Sequence, residues 1–274
     1  MTPPAVAAVV ACAAFALAAW SNHNLLGWLP DDPPRAGRKQ HLRPIPLAGI
    51  VLVPAVTPWL VDASAFWALA GIVLTGVVGF IDDRRKEQGR DLDWRWKALG
   101  LGFAAASGAC AVCWPLPDLL TWLLVCVFLF VLTNATNFLD NTDGVCASVA
   151  AASLLGLSSG HGWLGAMGFA AIGFLPWNWP QPRLFLGDAG TYALGLATGI
   201  AAANAARADF ANLWAVSVQL GDFAQVVTAR LVLGVPPWIG DRRHLTHIAQ
   251  NLGLPRVLVA PVFVLPAVAF ACLR

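Results

Sequence analysis

Apolar runs of roughly membrane length, broken by short polar islands, set the pattern of this chain. A helix needs roughly 20 residues to cross about 30 Å of hydrocarbon, with about 17 an ordinary lower limit. By that measure the runs predict ten helices, near 3–22, 46–62, 64–81, 97–114, 117–134, 144–160, 161–178, 189–206, 210–231 and 256–273. The expected fold is therefore all-α, a polytopic membrane helix bundle in a single domain over 1–274. The polar islands near 30–46, 82–97, 134–143, 178–189 and 231–255 are its loops on one membrane face. At the centre of the pattern lies Asn134 to Gly144, NATNFLDNTDG, a polar stretch between two such runs.

Composition supports this pattern. With 58% apolar residues, 12% charged residues and a mean hydropathy of +0.67, the chain is unlike a soluble domain, in which about 25% of residues are charged. The net charge of +2 and the scatter of the basic residues give no nucleic-acid signal. Fifteen of the seventeen Lys and Arg fall on one face: Arg35, Arg38, Lys39, Arg43, Arg84, Arg85, Lys86, Arg90, Arg95, Lys97, Arg183, Arg230, Arg242, Arg243 and Arg256. Only Arg207 and Arg274 fall on the other, so the rich face is expected to be cytoplasmic, with both termini outside. The first run has a signal-like core but no basic residue before Arg35, which predicts its retention as a membrane helix. The six cysteines all lie in apolar runs, and Cys110 with Cys113 has no second pair to complete a zinc site. Gly195 and Gly199 form a G-x-x-x-G suited to close helix packing.

The candidate chemistry gathers in the islands. Asp82 and Asp83 end the third span, where adjacent carboxylates repel each other and oppose the helix dipole. They are either neutralised by Arg84, Arg85 and Lys86 as a solvated loop or serve magnesium binding or general-base work. Asp143 and Asp188 each come just before a helix, where Asp is a favoured N-cap, yet exposed helix N-termini also suit phosphate. Asn134, Asn137, Asp140, Asn141 and Asp143 crowd hard oxygen ligands together, a set that favours magnesium, with manganese as the alternative. Asp222 falls inside the ninth span with Gln219 and Gln225 on the same side, where either a functional role or a structural hydrogen bond across the bundle would account for it. His244 and His247, beside Arg242 and Arg243, read better as cations holding a diphosphate than as metal ligands. No P-loop, Rossmann fingerprint or nucleophile elbow is present.

Taken in order, RKQHLRPIP (38–46), GFIDDRRK (79–86), NATNFLDNTDG (134–144), FLGDAGTYALG (185–195) and DRRHLTHIAQNLG (241–253) resemble the motifs of the polyprenyl-phosphate N-acetylhexosamine-1-phosphate transferase family. The resemblance implies transfer of a sugar 1-phosphate, GlcNAc-1-phosphate by preference, from a UDP-sugar to a polyprenyl phosphate lipid. UMP would be released, in the first lipid-linked step of cell-envelope polysaccharide synthesis at the inner membrane. By the same resemblance Asp188 and Asn137 lie closest to magnesium. Asp82 and Asp83, with Asp140 as a further catalytic candidate, serve the lipid phosphate. Asp143 and Phe185 hold the uracil, while Lys86, Lys97, Arg243, His244 and His247 hold phosphate. A homodimer is left open.

The sequence departs from the family pattern at three places. The usual P-R-x-G-G reads Pro46, Leu47, Ala48, Gly49, Ile50, so an arginine contact is lost. D-G-x-D-G reads Asp140, Asn141, Thr142, Asp143, Gly144, and Thr246 stands where many members carry His. Two alternatives are weighed against the GlcNAc branch. One is transfer of phospho-MurNAc-pentapeptide, against which the missing triple His counts; the other is a transporter, against which the confinement of nearly all ionisable residues to one surface counts.

Overall fold

In a computed structural model the described residues are 3–22, 27–34, 43–56, 63–114, 118–159 and 162–273. Arg35, Arg38 and Lys39 of the first loop and Arg274 lie outside them. The bundle is built from α1 (Pro3–Ser21), α2 (Leu52–Val56), α3 (Ala63–Glu87), α4 (Trp94–Cys113), α5 (Leu119–Leu139), α6 (Val145–Ser158), α7 (Gly162–Asn178), α8 (Gly187–Ala206), α9 (Ser217–Val232), α10 (Leu245–Asn251) and α11 (Arg256–Leu273). Four helices are long and apolar enough to cross a membrane by length and composition: Phe66–Glu87, Trp94–Cys113, Leu119–Leu139 and Arg256–Leu273. Val9–Trp20 and Val145–Ser158 are shorter apolar helices.

α8 is the axle of the bundle. Asp188 through Ala203 are all buried, and α3, α4, α5, α6 and α7 pack around it. Small residues make this approach close. A Cβ on Gly195 would meet Thr133 Cα at 2.8 Å and one on Gly199 would meet Leu129 Cδ2 at 2.7 Å, so the G-x-x-x-G does seat α8 on α5. On the other side, a Cβ on Gly79 of α3 would lie 2.3 Å from the Ala189 nitrogen, so the two backbones touch there.

The segment expected as a helix over 46–62 differs from that expectation in its described part. Asp31–Asp32 (β1) pairs antiparallel with Ile45–Pro46 (β2), Leu47 bridges to Phe185, and a 3-10 turn over Gly49–Val51 precedes the five-residue α2. The reason is backbone competition: Ala48 N–H donates to Phe185 O at 2.9 Å, Gly49 N–H to Leu186 O at 3.1 Å, and Phe185 N–H to Pro46 O at 2.9 Å. Groups spent on the 185–187 segment cannot enter a helical ladder, and Pro44, Pro46 and Pro54 have no N–H to give. The expected span 210–231 likewise opens as a 3-10 segment, Phe210–Val216, capped by Asp209, before α9 begins.

The backbone contact of α3 with α8 yields a stability test. Gly79→Ala should lower the apparent thermal midpoint in detergent by the equivalent of about 1–3 kcal/mol, the usual cost of overpacking. Gly102→Ala on α4, where an added Cβ meets nothing within 4 Å, should be neutral or stabilising by up to about 1 kcal/mol. Equal midpoints for the two variants would contradict the close approach.

Candidate functional site

The C-terminal ends of α3 and α5 and the N-terminal ends of α4 and α8 bring the first group of expected residues together. Asp82 is fully buried at the last turns of α3, and its Oδ2 receives Lys86 Nζ at 2.7 Å and Lys97 Nζ at 2.5 Å. Both ammonium groups also reach Asp188 Oδ2, at 2.9 and 3.4 Å. Asn137 Nδ2 donates to Asp188 Oδ1 at 3.0 Å and to Thr191 Oγ1 at 2.8 Å, and Tyr192 OH donates to Asp188 Oδ2 at 3.2 Å. Asp82 also accepts the Leu92 N–H at 3.0 Å, which folds the α3–α4 connection back over the site. Within the basic run Lys86 pairs with Asp82, whereas Arg84 binds Glu87 at 2.9 Å and the Trp28 carbonyl at 2.5 Å.

Asp83 has a different task from its neighbour. Its Oδ1 accepts the Asp188 N–H at 3.0 Å and its Oδ2 the Ala189 N–H at 3.2 Å, so it caps the first turn of α8 from another helix. Expected beside the lipid phosphate, it has both oxygens engaged by backbone instead. Gly187, at φ +62, makes the turn that allows this, and a Cβ there would lie 2.5 Å from Asp83 Oδ2. The local capping role open to Asp188 is thereby excluded. The residue before α8 is Leu186 and the one before α6 is Gly144, neither with a side-chain cap, while Asp188 sits inside the first turn with its carboxylate on the lysines.

A second group surrounds the first. Asp143 pairs with Arg256 at 2.6 Å, and the Gly144 N–H donates to Asn178 Oδ1 at 2.7 Å. Phe185 is half-buried beside β2. Asp140, at the end of α5, is pushed up to about 7 by burial, then by the charges of Asp188 and Asp143, which poises a carboxyl near neutrality. In the histidine loop His244 is buried against Asp222, and His247 is held below the ordinary imidazole range by burial, Arg242 and His244. Arg243 reaches Asp241 Oδ2 at 2.6 Å, and the buried Arg230 reaches the same oxygen at 3.0 Å. Trp94 of α4 stacks on Trp238 of the loop after α9 at 5.0 Å, joining the two groups at the surface.

Sequence reasoning missed Tyr192, Thr191, Asn178, Arg230 and the Arg256 pairing. Tyr192 had a readable signal, as the single tyrosine of the chain four residues after Asp188, one helical turn on. The other four had none. Two of the departures from the family pattern prove to be neighbours: buried Thr246 donates its hydroxyl to Asn141 Oδ1, and Gln250 Nε2 donates to Thr142 Oγ1 at 3.2 Å. These bonds tie α10 to the 137–144 stretch.

The donor set fits magnesium in the way that ion is usually held. Among the described residues no three His, Cys, Asp or Glu converge as a ready cage, but magnesium commonly takes one or two carboxylates and completes its shell with water and substrate phosphate. Asp188 is a hard oxygen donor at this spot, and the Asn137 amide, whose nitrogen donates to Asp188 Oδ1, would offer its oxygen to a cation after a flip of the amide.

Two measurements check the outer group. Burial pushes the Asp241 carboxyl up, but hydrogen bonds from Arg230 and Arg243 outweigh it and hold the group at about 2. A depressed carboxylate stabilises above its unfolded range near 4 and loses that contribution as pH falls toward 2. Asp241→Asn should therefore lower the thermal midpoint at neutral pH by the equivalent of about 1 kcal/mol, allowing for solvent screening. The gap to wild type should close between about pH 4 and pH 2; a gap constant over that window would exclude the ion pairs as its origin. Thr246→Val, which leaves the hydroxyl's partner unmet, should cost about 1–2 kcal/mol in the same melts, and much less in an Asn141→Ala background.

Comparison with known proteins converges on the same residues. The family model for glycosyl transferase family 4 matches residues 65–206, which hold every residue of the lysine–carboxylate cluster. A Streptomyces coelicolor protein named "Putative glycosyltransferase" is 30% identical over 244 residues, covering 79% of this chain and 57% of the relative. The undecaprenyl-phosphate alpha-N-acetylglucosaminyl 1-phosphate transferase of Thermotoga maritima is 29% identical over 133 residues, 47% of this chain and 43% of that protein. The phospho-N-acetylmuramoyl-pentapeptide-transferase of a Nostoc species is 29% identical over 198 residues, 60% of this chain and 53% of that protein. The chain thus spans about half the length of these curated relatives. With the family model covering more than half of the sequence and the matched segment holding the buried acid and lysine cluster, the chain belongs to glycosyl transferase family 4.

Proposed function

We propose that this protein transfers a sugar 1-phosphate from a UDP-sugar to a polyprenyl phosphate and releases UMP, acting at the cytoplasmic face of the cell membrane. The observation that carries the reading is the Asp82, Lys86, Lys97, Asn137 and Asp188 cluster, formed where four helix ends meet. Phosphoryl transfer between two anions requires little covalent chemistry but strong charge compensation and positioning. Lys86 and Lys97 bridge Asp82 and Asp188, so a diphosphate can recruit the same ammonium groups without a change of fold. Magnesium, held by Asp188 and Asn137, would supply neutralisation of the diphosphate charge. Asp82 is then the carboxylate that orients or deprotonates the acceptor phosphate, while Asp83 keeps α8 in place and Asp140 offers a second proton-carrying group.

The outer group supports a nucleotide and diphosphate contact through Asp143, Phe185, Arg243, His244 and His247. A UDP-N-acetylhexosamine, UDP-GlcNAc first, is the substrate we favour, because HLTH in the histidine loop lacks the contiguous histidines of the MurNAc-pentapeptide branch. In membranes carrying the purified protein, UMP should form only when UDP-sugar, polyprenyl phosphate and magnesium are all present. Release indifferent to the lipid phosphate would sink the proposal, and faster turnover of UDP-MurNAc-pentapeptide than of UDP-GlcNAc would reverse the substrate assignment.

Two variants separate the aspartates. Asp188→Asn should insert normally yet lose about 100-fold or more in turnover, on the scale of other preorganised electrostatic groups; wild-type turnover with an unchanged magnesium requirement would refute its metal role. For Asp82→Asn the sign follows from the acceptor, whose second ionisation lies near pH 6, by analogy with phosphorylated side chains. If Asp82 acts as base, the lost rate should partly return as pH rises above about 6, where the phosphate ionises unaided. A loss of the same size at every pH would leave metal binding or covalent catalysis as its role.

A further inference from the structure

Asp222 lies in the middle of α9, fully buried, and its two oxygens are divided between consecutive residues of the histidine loop. Oδ2 lies 2.8 Å from His244 Nδ1, and Oδ1 accepts the Leu245 N–H at 2.7 Å. A carboxylate can only accept, so Nδ1 is the nitrogen that carries the proton in this pair. The second bond satisfies a backbone donor at the start of α10, where helices leave such groups unmet. The ring itself is wedged edge-on between Phe138 and His247, each with centroids 6.0 Å away. Phe138 follows Asn137 in the chain, and the Arg230 guanidinium lies over its ring at 5.0 Å. His244 thus has its tautomer, tilt and position set by three elements, with Nε2 directed away from α9. Among the described residues Nε2 has no protein partner.

We infer that Asp222 is a positioning residue: it holds His244 through Nδ1 so that Nε2 is presented to the diphosphate of the nucleotide sugar. In the protonated ring both nitrogens donate, Nδ1 to Asp222 and Nε2 to a phosphate oxygen. This accounts for a fully buried carboxylate within α9 without assigning it to a transport path, since both of its oxygens are engaged by one loop. Identification of the ligand rests on the transfer reading above; the geometry of the pair does not.

Asp222→Asn tests the ring contact selectively, because the amide oxygen still accepts the Leu245 N–H while the amide nitrogen, a donor, disfavours protonated Nδ1. Two readouts are combined. In full-length protein labelled with 15N-histidine at about pH 9, where free imidazole is neutral, the His244 signal, identified by its loss in His244→Ala, should show the Nδ1–H tautomer. In Asp222→Asn it should shift to Nε2–H. In the UMP-release assay, Asp222→Asn should lower kcat/KM by on the order of 10- to 100-fold, as for carboxylates that orient metal-bound histidines. In a His244→Ala background the same change should cost less than about 2-fold, since coupled residues are non-additive. Equal losses in both backgrounds would overturn the positioning role, as would the Nε2–H tautomer in the wild-type protein, a result that needs no folded variant. Wild-type protein with the Nδ1–H signature but no UMP formation from any UDP-sugar would overturn the transfer reading and leave the Asp222–His244 pair standing.

Discussion

The contact on which the rest of the site depends is the Asp83 carboxylate received by the first turn of α8. Two backbone N–H groups that a helix start leaves unmet are satisfied by a side chain 105 and 106 residues earlier. Such bonds contribute about 0.5–1.5 kcal/mol each, and leaving these buried donors unmet would cost more. The docking works only because Gly79 and Gly187 remove the two side chains that would stand in the way. Once α8 is held there, the preceding residue, Asp82, is rotated about 100° round α3, away from the α8 backbone and into Lys86 and Lys97. Two adjacent carboxyl groups of the same type thus divide into one that docks a helix and one that faces the lysines.

Much of this was legible before any coordinates. The polar islands, the basic bias and the order of the motifs placed Asp82, Lys86, Lys97, Asn137 and Asp188 on one face, and they meet there. The division of labour between Asp82 and Asp83 was not legible, because it depends on which side of α3 meets α8. Capping at Asp143 and Asp188 was a sound local reading overruled by partners from afar, Arg256 for one and Lys86 with Lys97 for the other. The helix expected over 46–62 failed where its backbone was already committed to Phe185 and Leu186. A run of apolar residues reports burial, and only tertiary pairing decides whether burial is helical.

The site has two shells joined through a single stretch of chain. Asn137 faces the lysine and carboxylate centre, whereas Asn141 and Asp143, only a turn or two later, face α10 and α11. Where this sequence replaces a glycine and a histidine of its family's pattern with Asn141 and Thr246, the two replacements contact each other. The segment that carries His244 is therefore fastened twice, to α9 by Asp222 and to the central stretch by Thr246, and its geometry is tied to that of the acid cluster.

Because α8 is enclosed along nearly its whole length, the helix that carries Asp188 has no surface in contact with lipid tails. Bilayers differ in thickness by several ångströms between compartments, and exposed helices respond by tilting. Here such tilting falls on the outer ring, α4, α5 and α11, whose apolar side chains face outward, while the axle is held by its neighbours. The backbone that carries Asp188 is thus shielded from the surrounding lipid, whereas Lys97 on α4 and Asn137 on α5 are the partners through which bilayer thickness would reach the acid cluster.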